Sequence, residues 1–278
     1  MSNAPQIDVY IPVYNGEDVI LRAIQSCLDQ IGVDVRVIVS DNQSSDRTPE
    51  IVSELAQEDP RVVLMQNPKN IGMLPNINRL FDVVERPFYM FLCADDHLID
   101  QNAFSKALAL LDAHPEMASV YSDMQFQDGV GQRILDNRFK RSSVFDPKSV
   151  FIQSLVRTRN GFGIPLLHRS QDGLSYQYQS DCVYASDVLQ SYMCARGKIC
   201  GHIPELCIGN TYAGGNMTRG MMQTALKAFR QAEVHANISL SPSQRLRQSI
   251  NHRLVFIQKL IFFQILLPIR RLLQSKVL

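Results

Sequence analysis

The sequence predicts an α/β fold, a mostly parallel sheet flanked by helices, with a helical C-terminal extension. Four short, β-branched apolar runs recur between residues 7 and 94. Stretches with helical spacing of apolar residues separate them. Strands and helices that alternate in this way imply right-handed crossovers and parallel neighbours.

The elements follow in order. IDVYIPV (7–13) is the first strand. From Glu17 to Ile31 the apolar residues Val19, Ile20, Ala23, Ile24, Cys27, Leu28 and Ile31 lie on one helical face. DVRVIVS (34–40) is the second strand. Thr48-Pro49-Glu50 opens a helix to about Gln57, with proline where its missing N–H costs nothing. RVVLMQ (61–66) is the third strand, NPKNIG (67–72) a loop, and a helix runs on to about Val84. FYMFLCA (88–94) is the fourth strand. All four are apolar on both faces, as a doubly covered sheet requires.

The second half is less regular. Helix is expected over Gln101–Leu111, strand over 118–126, and a hairpin to about Arg141. Helices are expected over Pro147–Arg157 and Val183–Arg196, the latter ended by Gly197. The polar, Tyr-rich stretch Gln171–Ser180 reads as a flexible loop, KICGHIP as a short strand, and AGGNMTRG (213–220) as a loop able to approach a ligand.

Composition narrows the function. The chain has 278 residues, enough for a substantial core. Hydrophobic content of 45% and charged content of 20% exclude a disordered chain, and a net charge of +1 argues against nucleic acid as a partner. Val234–Leu278 nevertheless holds seven Lys or Arg and no acid, so a mildly acidic body carries a basic tail. No apolar leader precedes the first strand and no CxxC occurs among the six cysteines, which points to a reducing, cytoplasmic compartment.

Ligands of open α/β sheets bind at the carboxyl ends of the strands. Two acidic clusters fall there. SDNQSSDRT (40–48) follows the second strand. Ser45, Asp46 and Thr48 are good turn and cap residues, whereas Asp41, at the strand tip, is open to a ligand role as well. CADDHL (93–98) follows the fourth strand, and its adjacent carboxylates repel unless something compensates. A Mg²⁺ or Mn²⁺ ion does so, since both favour oxygen donors. A solvated acidic turn is the plain alternative, and His97 a possible further donor.

In order and at matching spacing, IPVYNGED (11–18), DNQSSDRT (41–48), NIGMLPNIN (70–78) and ADD (94–96) resemble the family 2 glycosyltransferases. The resemblance implies the Rossmann-like A-type fold (GT-A) and a nucleoside diphosphate sugar donor, most simply a UDP-sugar. It places Pro12, Tyr14, Asn15 and Asp41 around the nucleoside. Asn70, Gly72 and Asn78 fall along the sugar-diphosphate cleft, Asp95 near the ribose or sugar, and Asp96, with Asp95, at the Mn²⁺ or Mg²⁺ ion. It gives Asp187 the place of catalytic base, with Asp181 as local rival, and GGNMT (214–218) that of a loop closing on the diphosphate. Cys93 stands where an acid is usual, Asn42 where a second Asp is frequent, Ser186 where Glu is common, and Ile77 where a basic residue is often found.

The implied organisation is a catalytic domain over 1–218, with a nucleotide-binding half to about 125 and an acceptor half beyond it, and a helical extension over 219–278. The implied activity is inverting, metal-assisted sugar transfer to a glycan or lipid-linked hydroxyl in polysaccharide or glycan assembly. A catalytically silent sugar-nucleotide-binding scaffold is one rival. A nucleotidyltransferase is another, although YNGED lacks the basic residue its loop would need. In the tail, Lys259, Pro268 and Arg270-Arg271 interrupt the apolar run from Leu254 to Leu273, too many breaks for a span. Residues 245–278 then either touch the inner face of a membrane as a peripheral, basic amphipathic segment or pack on the domain.

Overall fold

A computed structural model describes residues 4–128, 131–135, 143–157, 160–212 and 219–261. The first half follows the expected alternation: β1 (Gln6–Val13), α1 (Ile20–Leu28), β2 (Asp34–Asp41), α2 (Thr48–Glu58), β3 (Val62–Gln66), α3 (Met73–Asn78), α4 (Leu80–Val83) and β4 (Phe88–Phe91). Then come β5 (Asp96–Leu98), α5 (Ala103–Ala113), β6 (Met117–Asp128), β7 (Gly131–Leu135), β8 (Val144–Phe145), α6 (Pro147–Arg157), β9 (Pro165–Arg169) and α7 (Ser170–Gly173). A 3-10 turn (Ser180–Ala185), α8 (Ser186–Cys194), β10 (Ile199–Tyr212), α9 (Arg219–His235) and α10 (Pro242–Ile261) complete the described chain.

The strands form one sheet in the order β3-β2-β1-β4-β9-β6-β10-β5, with β7 on β6 and β8 on β10. β1 to β4 are parallel to one another. β9 runs antiparallel to both β4 and β6, so β6, and β10 parallel to it, share the direction of β1. The sheet is therefore mostly parallel, and β9 is the seam between its two parts.

Strand periodicity sorts the core. On β1, Ile7, Val9, Ile11 and Val13 face one layer with α1 and α5, while Tyr10 faces the other with Leu74, Ile77 and Leu80 of α3 and α4. On β6, Ala118 and Tyr121 join a cluster with Phe151, Val188, Leu189 and Phe229. The β1 end opposite the strand tips is fixed by charge. Buried Asp8 takes Arg36 on both oxygens at 2.8 Å, and also the Glu85 and Arg86 amides.

Three expectations are corrected. Gln171–Ser180 is structured rather than a flexible loop: α7 lies in it, Tyr178 is buried against Phe91, and Gln190 Nε2 donates to Gly173 O at 3.1 Å. The short strand KICGHIP is the start of β10, which runs on to Tyr212 because β6, β8 and β5 all pair with it. The fourth strand stops at Phe91, and the acids after it belong to a turn and to β5.

The extension packs on the body for as far as it is described. Ala228, Phe229 and Ala232 of α9, with Ala236 just after it, form a stripe in the second core cluster. Gln248 and Asn251 of α10 donate to the Leu155 and Val156 carbonyls at the end of α6. Residues 262–278, with Arg270-Arg271, lie outside the described residues. No described helix is long and apolar enough to cross a membrane.

Candidate active site

The loops after β1, β2 and β3 lock one another in place. Asn15, at φ 53°, donates its amide to Ser44 Oγ at 2.8 Å and accepts from the Ser45 amide at 2.8 Å. Thr48 Oγ1 accepts from the Gly16 amide, and Asp46 Oδ2 from the Glu17 amide. A Cβ on Gly16 would sit 2.6 Å from Val13 Cγ2, so the close approach needs glycine. Asp46 and Thr48 thus serve the turn. Asp41 is fully buried, and both its oxygens accept from the Ser44 amide. Tyr14 is exposed beside it, and Pro12 is half-buried.

Asn42 organises the next loop. It donates to Asn70 Oδ1 at 3.0 Å and to Gly72 O at 3.3 Å, and accepts from the Ile71 amide at 2.9 Å and Asn67 Nδ2 at 3.0 Å. A carboxylate could not donate the first two bonds. This is the physical reason for Asn where Asp is frequent. Asn67 continues to Asn76, whose Oδ1 also accepts from Ser40 Oγ at 2.8 Å. Gly72, at φ +89°, takes a left-handed turn that other residues resist, and its amide donates to Asn70 Oδ1. Asn70 and Gly72 are therefore held at the strand tips. Asn78 instead clamps the backbone of Tyr178, donating to its carbonyl at 3.0 Å and accepting from its amide at 2.9 Å. Its side chain is spent on joining α3 to the Tyr-rich segment.

The acidic cluster follows β4. In the sheet, β1 separates β2 from β4, so the two acidic loops flank one strand, about 10 Å apart. Cys93, Asp95 and Asp96 hold ligand atoms within 4.8 Å of one another. Asp96 is buried, and its carboxyl is pushed up to about 7, first by burial and then by the Asp95 charge. The Asn210 amide, donating from β10, and the Arg22 charge from α1 oppose that shift. Arg22 Nη2 also reaches the Asp95 carbonyl at 3.5 Å. Asp95 and Asp96 supply two adjacent carboxylates, the oxygen donors that a Mg²⁺ or Mn²⁺ ion favours, and a bound cation would relieve their repulsion. His97 pairs with Gly209 across β5 and β10, and its pKa is lowered by burial.

Asp187 lies in the first turn of α8, where its own Oδ1 accepts from the Val188 amide at 2.8 Å. Asn160 Nδ2 donates to the other oxygen, Oδ2, at 2.7 Å. The Asn160 carbonyl oxygen meanwhile takes the Phe162 and Gly163 amides. Asp187 is exposed, yet enough protein surrounds it that desolvation raises its carboxyl. Its charge acts on the Cys93 thiol along with those of Asp96 and Asp95, and burial with these three raises that thiol well above its ordinary value. Asp95, Asp96 and Asp187 thus lie around Cys93, while Asp41 stands at the tip of β2, on the far side of β1. Asp181 does not join them, since its carboxylate pairs with His235 at 2.9 Å. GGNMT (214–218) lies outside the described residues. Asn160, Asn210 and Arg22 escaped the sequence because each acts across 27, 114 and 73 residues, with no local pattern to mark it.

A family model described as glycosyl transferase family 2 matches residues 8–174. An uncharacterized glycosyltransferase from Haemophilus influenzae is 28% identical over 132 residues, 48% of this chain and 52% of that protein. The matched stretch thus spans about half the length of that relative. Among solved structures, S. aureus TarS 1–349 in complex with UDP-GlcNAc superposes with TM-score 0.67 at 17% identity, over 93% of this chain and 73% of that one. The mannosyltransferase PcManGT from Pyrobaculum calidifontis, in complex with GDP-Man and Mn²⁺, does so with TM-score 0.56 at 15% identity, over 95% and 89%. These two likenesses establish the GT-A fold.

Proposed function

The chain belongs to glycosyl transferase family 2 and is a glycosyltransferase, and from that premise we propose that it moves a sugar from a UDP-sugar to a hydroxyl acceptor with inversion at the anomeric carbon. The observation that carries this proposal is the placement of Asp187, open to solvent with a raised carboxyl, beside the Cys93–Asp95–Asp96 cluster. A raised carboxylate is better matched to taking a proton near neutral pH than an ordinary one.

In the proposed reaction, Asp187 accepts the proton of the acceptor hydroxyl as its oxygen bonds to the anomeric carbon. The bond from that carbon to the diphosphate breaks on the opposite face, which inverts the centre. Asn160 keeps Oδ2 oriented, and the Val188 amide keeps Oδ1. Asp95 and Asp96 would hold a Mn²⁺ or Mg²⁺ ion, which supplies positive charge against the departing diphosphate. Pro12, Tyr14 and Asp41 receive the nucleoside, with Asn15 fixing their loop, and Asn70 and Gly72 line the diphosphate side. Asn78 contributes by holding Tyr178. The UDP preference draws on the TarS neighbour, and the use of a divalent cation on the PcManGT neighbour.

The acceptor belongs to a glycan or lipid-linked intermediate of polysaccharide assembly, and the acid-free tail favours work at the cytoplasmic face of an anionic membrane. Reversing Arg270 and Arg271 to Glu should then reduce liposome flotation. The central test is a thermal-shift screen of nucleoside diphosphate sugars with and without Mn²⁺. A donor at a hundred times its Kd stabilises the fold by ~2.7 kcal/mol. Asp96→Asn should weaken the Mn²⁺-dependent shift by about 10- to 100-fold in apparent affinity. Failure of every nucleotide sugar to shift the melting temperature overturns the proposal.

A further inference from the structure

A second group of metal-ligating side chains lies where the extension meets the body. Asp181, Cys182 and His235 place ligand atoms within 4.8 Å of one another. The first two are consecutive in the 3-10 turn, and His235 ends α9. At Cys182 the backbone leaves the helical path, with φ −129° and ψ 40°. Both Asp181 oxygens lie 2.9 Å from His235 Nε2. Cys182 is buried, and its thiol donates a long bond, 3.8 Å, to Gln179 O.

We propose that Asp181, Cys182 and His235 form a second cation site, selective for Zn²⁺, that ties α9 to the turn leading into α8. One sulfur, one imidazole nitrogen and one carboxylate oxygen make a donor set that suits zinc, whereas Mg²⁺ and Mn²⁺ favour oxygen alone. Zinc–ligand distances of about 2.0–2.3 Å put the donors of a tetrahedron about 3.3–3.8 Å apart. The Cys182 sulfur, at most 4.8 Å from the other two donors, would therefore move in by no more than about 1.5 Å, while the Asp181–His235 pair, at 2.9 Å, opens by less than about 1 Å, with water as fourth ligand. Burial and the Asp181 charge push the Cys182 thiol up to about 12, so zinc uptake displaces its proton. Asp187 is the second residue of α8, so the cation would brace the helix that carries it. The site needs neither donor nor acceptor and stands apart from the proposed reaction.

The test titrates the full, metal-stripped chain with Zn²⁺ and follows its melting temperature. A parallel titration with Co²⁺ follows the near-ultraviolet charge-transfer band that a thiolate ligand gives. The expected result is a zinc-dependent rise in melting temperature, with affinity reduced at least about tenfold in His235→Gln. The cobalt band should vanish in Cys182→Ser and persist in Cys93→Ser. His235 is partly exposed, so its variant remains readable even if Cys182→Ser fails to fold. Absence of zinc binding, wild-type affinity in His235→Gln, or a band that follows Cys93 instead of Cys182 overturns the proposal.

Discussion

At the tips of β1, β2 and β3, loops are held by side chains from the loops next to them, in many short bonds. Asn42 alone makes four, and Asn15, Asp46 and Thr48 tie the first two tips together. The acids on the other side of β1 are held differently. Asp96 accepts from Asn210, and Asp187 from Asn160 and the Val188 amide. The first region satisfies its polar groups internally. The second leaves two carboxyls raised, Asp96 by burial and a neighbouring charge and Asp187 by desolvation. One region is built to hold its shape, and the other holds acids whose charge is disfavoured, which a proton or a cation can relieve.

The sharpest way to break this contrast is at Asp187. Asp187→Asn should lower kcat by about 10²- to 10⁴-fold, the range of a general base, while leaving UDP-sugar binding by calorimetry unchanged. Normal turnover would place Asp187 with the structural residues. Asn160→Ala should have a smaller effect, about tenfold on kcat with donor KM unchanged. Its bond favours the ionised carboxylate, so its loss raises the Asp187 pKa further. The base is active when deprotonated, so the acid limb of the kcat/KM profile should move to higher pH. A structural role alone would lower the rate and leave that limb where it was.

The same contrast explains what was legible in the sequence. The strands β1 to β4 and helices α1 and α2 announce themselves because their periodicity is local, and Thr48-Pro49 marks a start. The three residues of β5 and the five of β9 carry no such pattern. They become strands because β10 and the pair β4 and β6 accept them. The Tyr-rich stretch looked like a loop by polarity, yet Tyr178 is fixed by Asn78 from 100 residues away. Adjacent Asp95 and Asp96 were visible as a cluster. Their counter-groups Arg22 and Asn210 were not, since an isolated Arg in a helix or Asn in a strand has no local signature.

On the rigid side, Asn42→Ala removes two acceptor bonds and two donor bonds from a buried loop network. Each buried group left unpaired costs about 1–3 kcal/mol. Urea unfolding should then show a loss of at least about 2 kcal/mol, with the loop from Asn67 to Gly72 gaining hydrogen exchange. A loss no greater than that of an exposed Asn would mean the network is dispensable, and that the first region is not the more tightly held.

The β9 seam between the two parallel parts of the sheet gives the smallest effect and a distinctive one. His168 on β9 is fully buried, stacked on Tyr89 of β4 at 4.9 Å and 2.6 Å from Ser119 Oγ of β6. Burial lowers its pKa from 6.5 to about 3. Above pH 6.5 it is neutral in both states and adds no pH dependence. Below 6.5 the unfolded chain takes up the proton and the folded chain refuses it, so stability falls with pH until about pH 3. The slope from this one group is at most ~1.4 kcal/mol per pH unit. Replacing it by Gln should lower stability at pH 7 through the lost stack and flatten the decline between pH 6.5 and 5 in urea titrations. An unchanged slope would move the acid sensitivity elsewhere. A flattened one would make β9, the strand that joins the two parallel parts of the sheet, the place where acid acts.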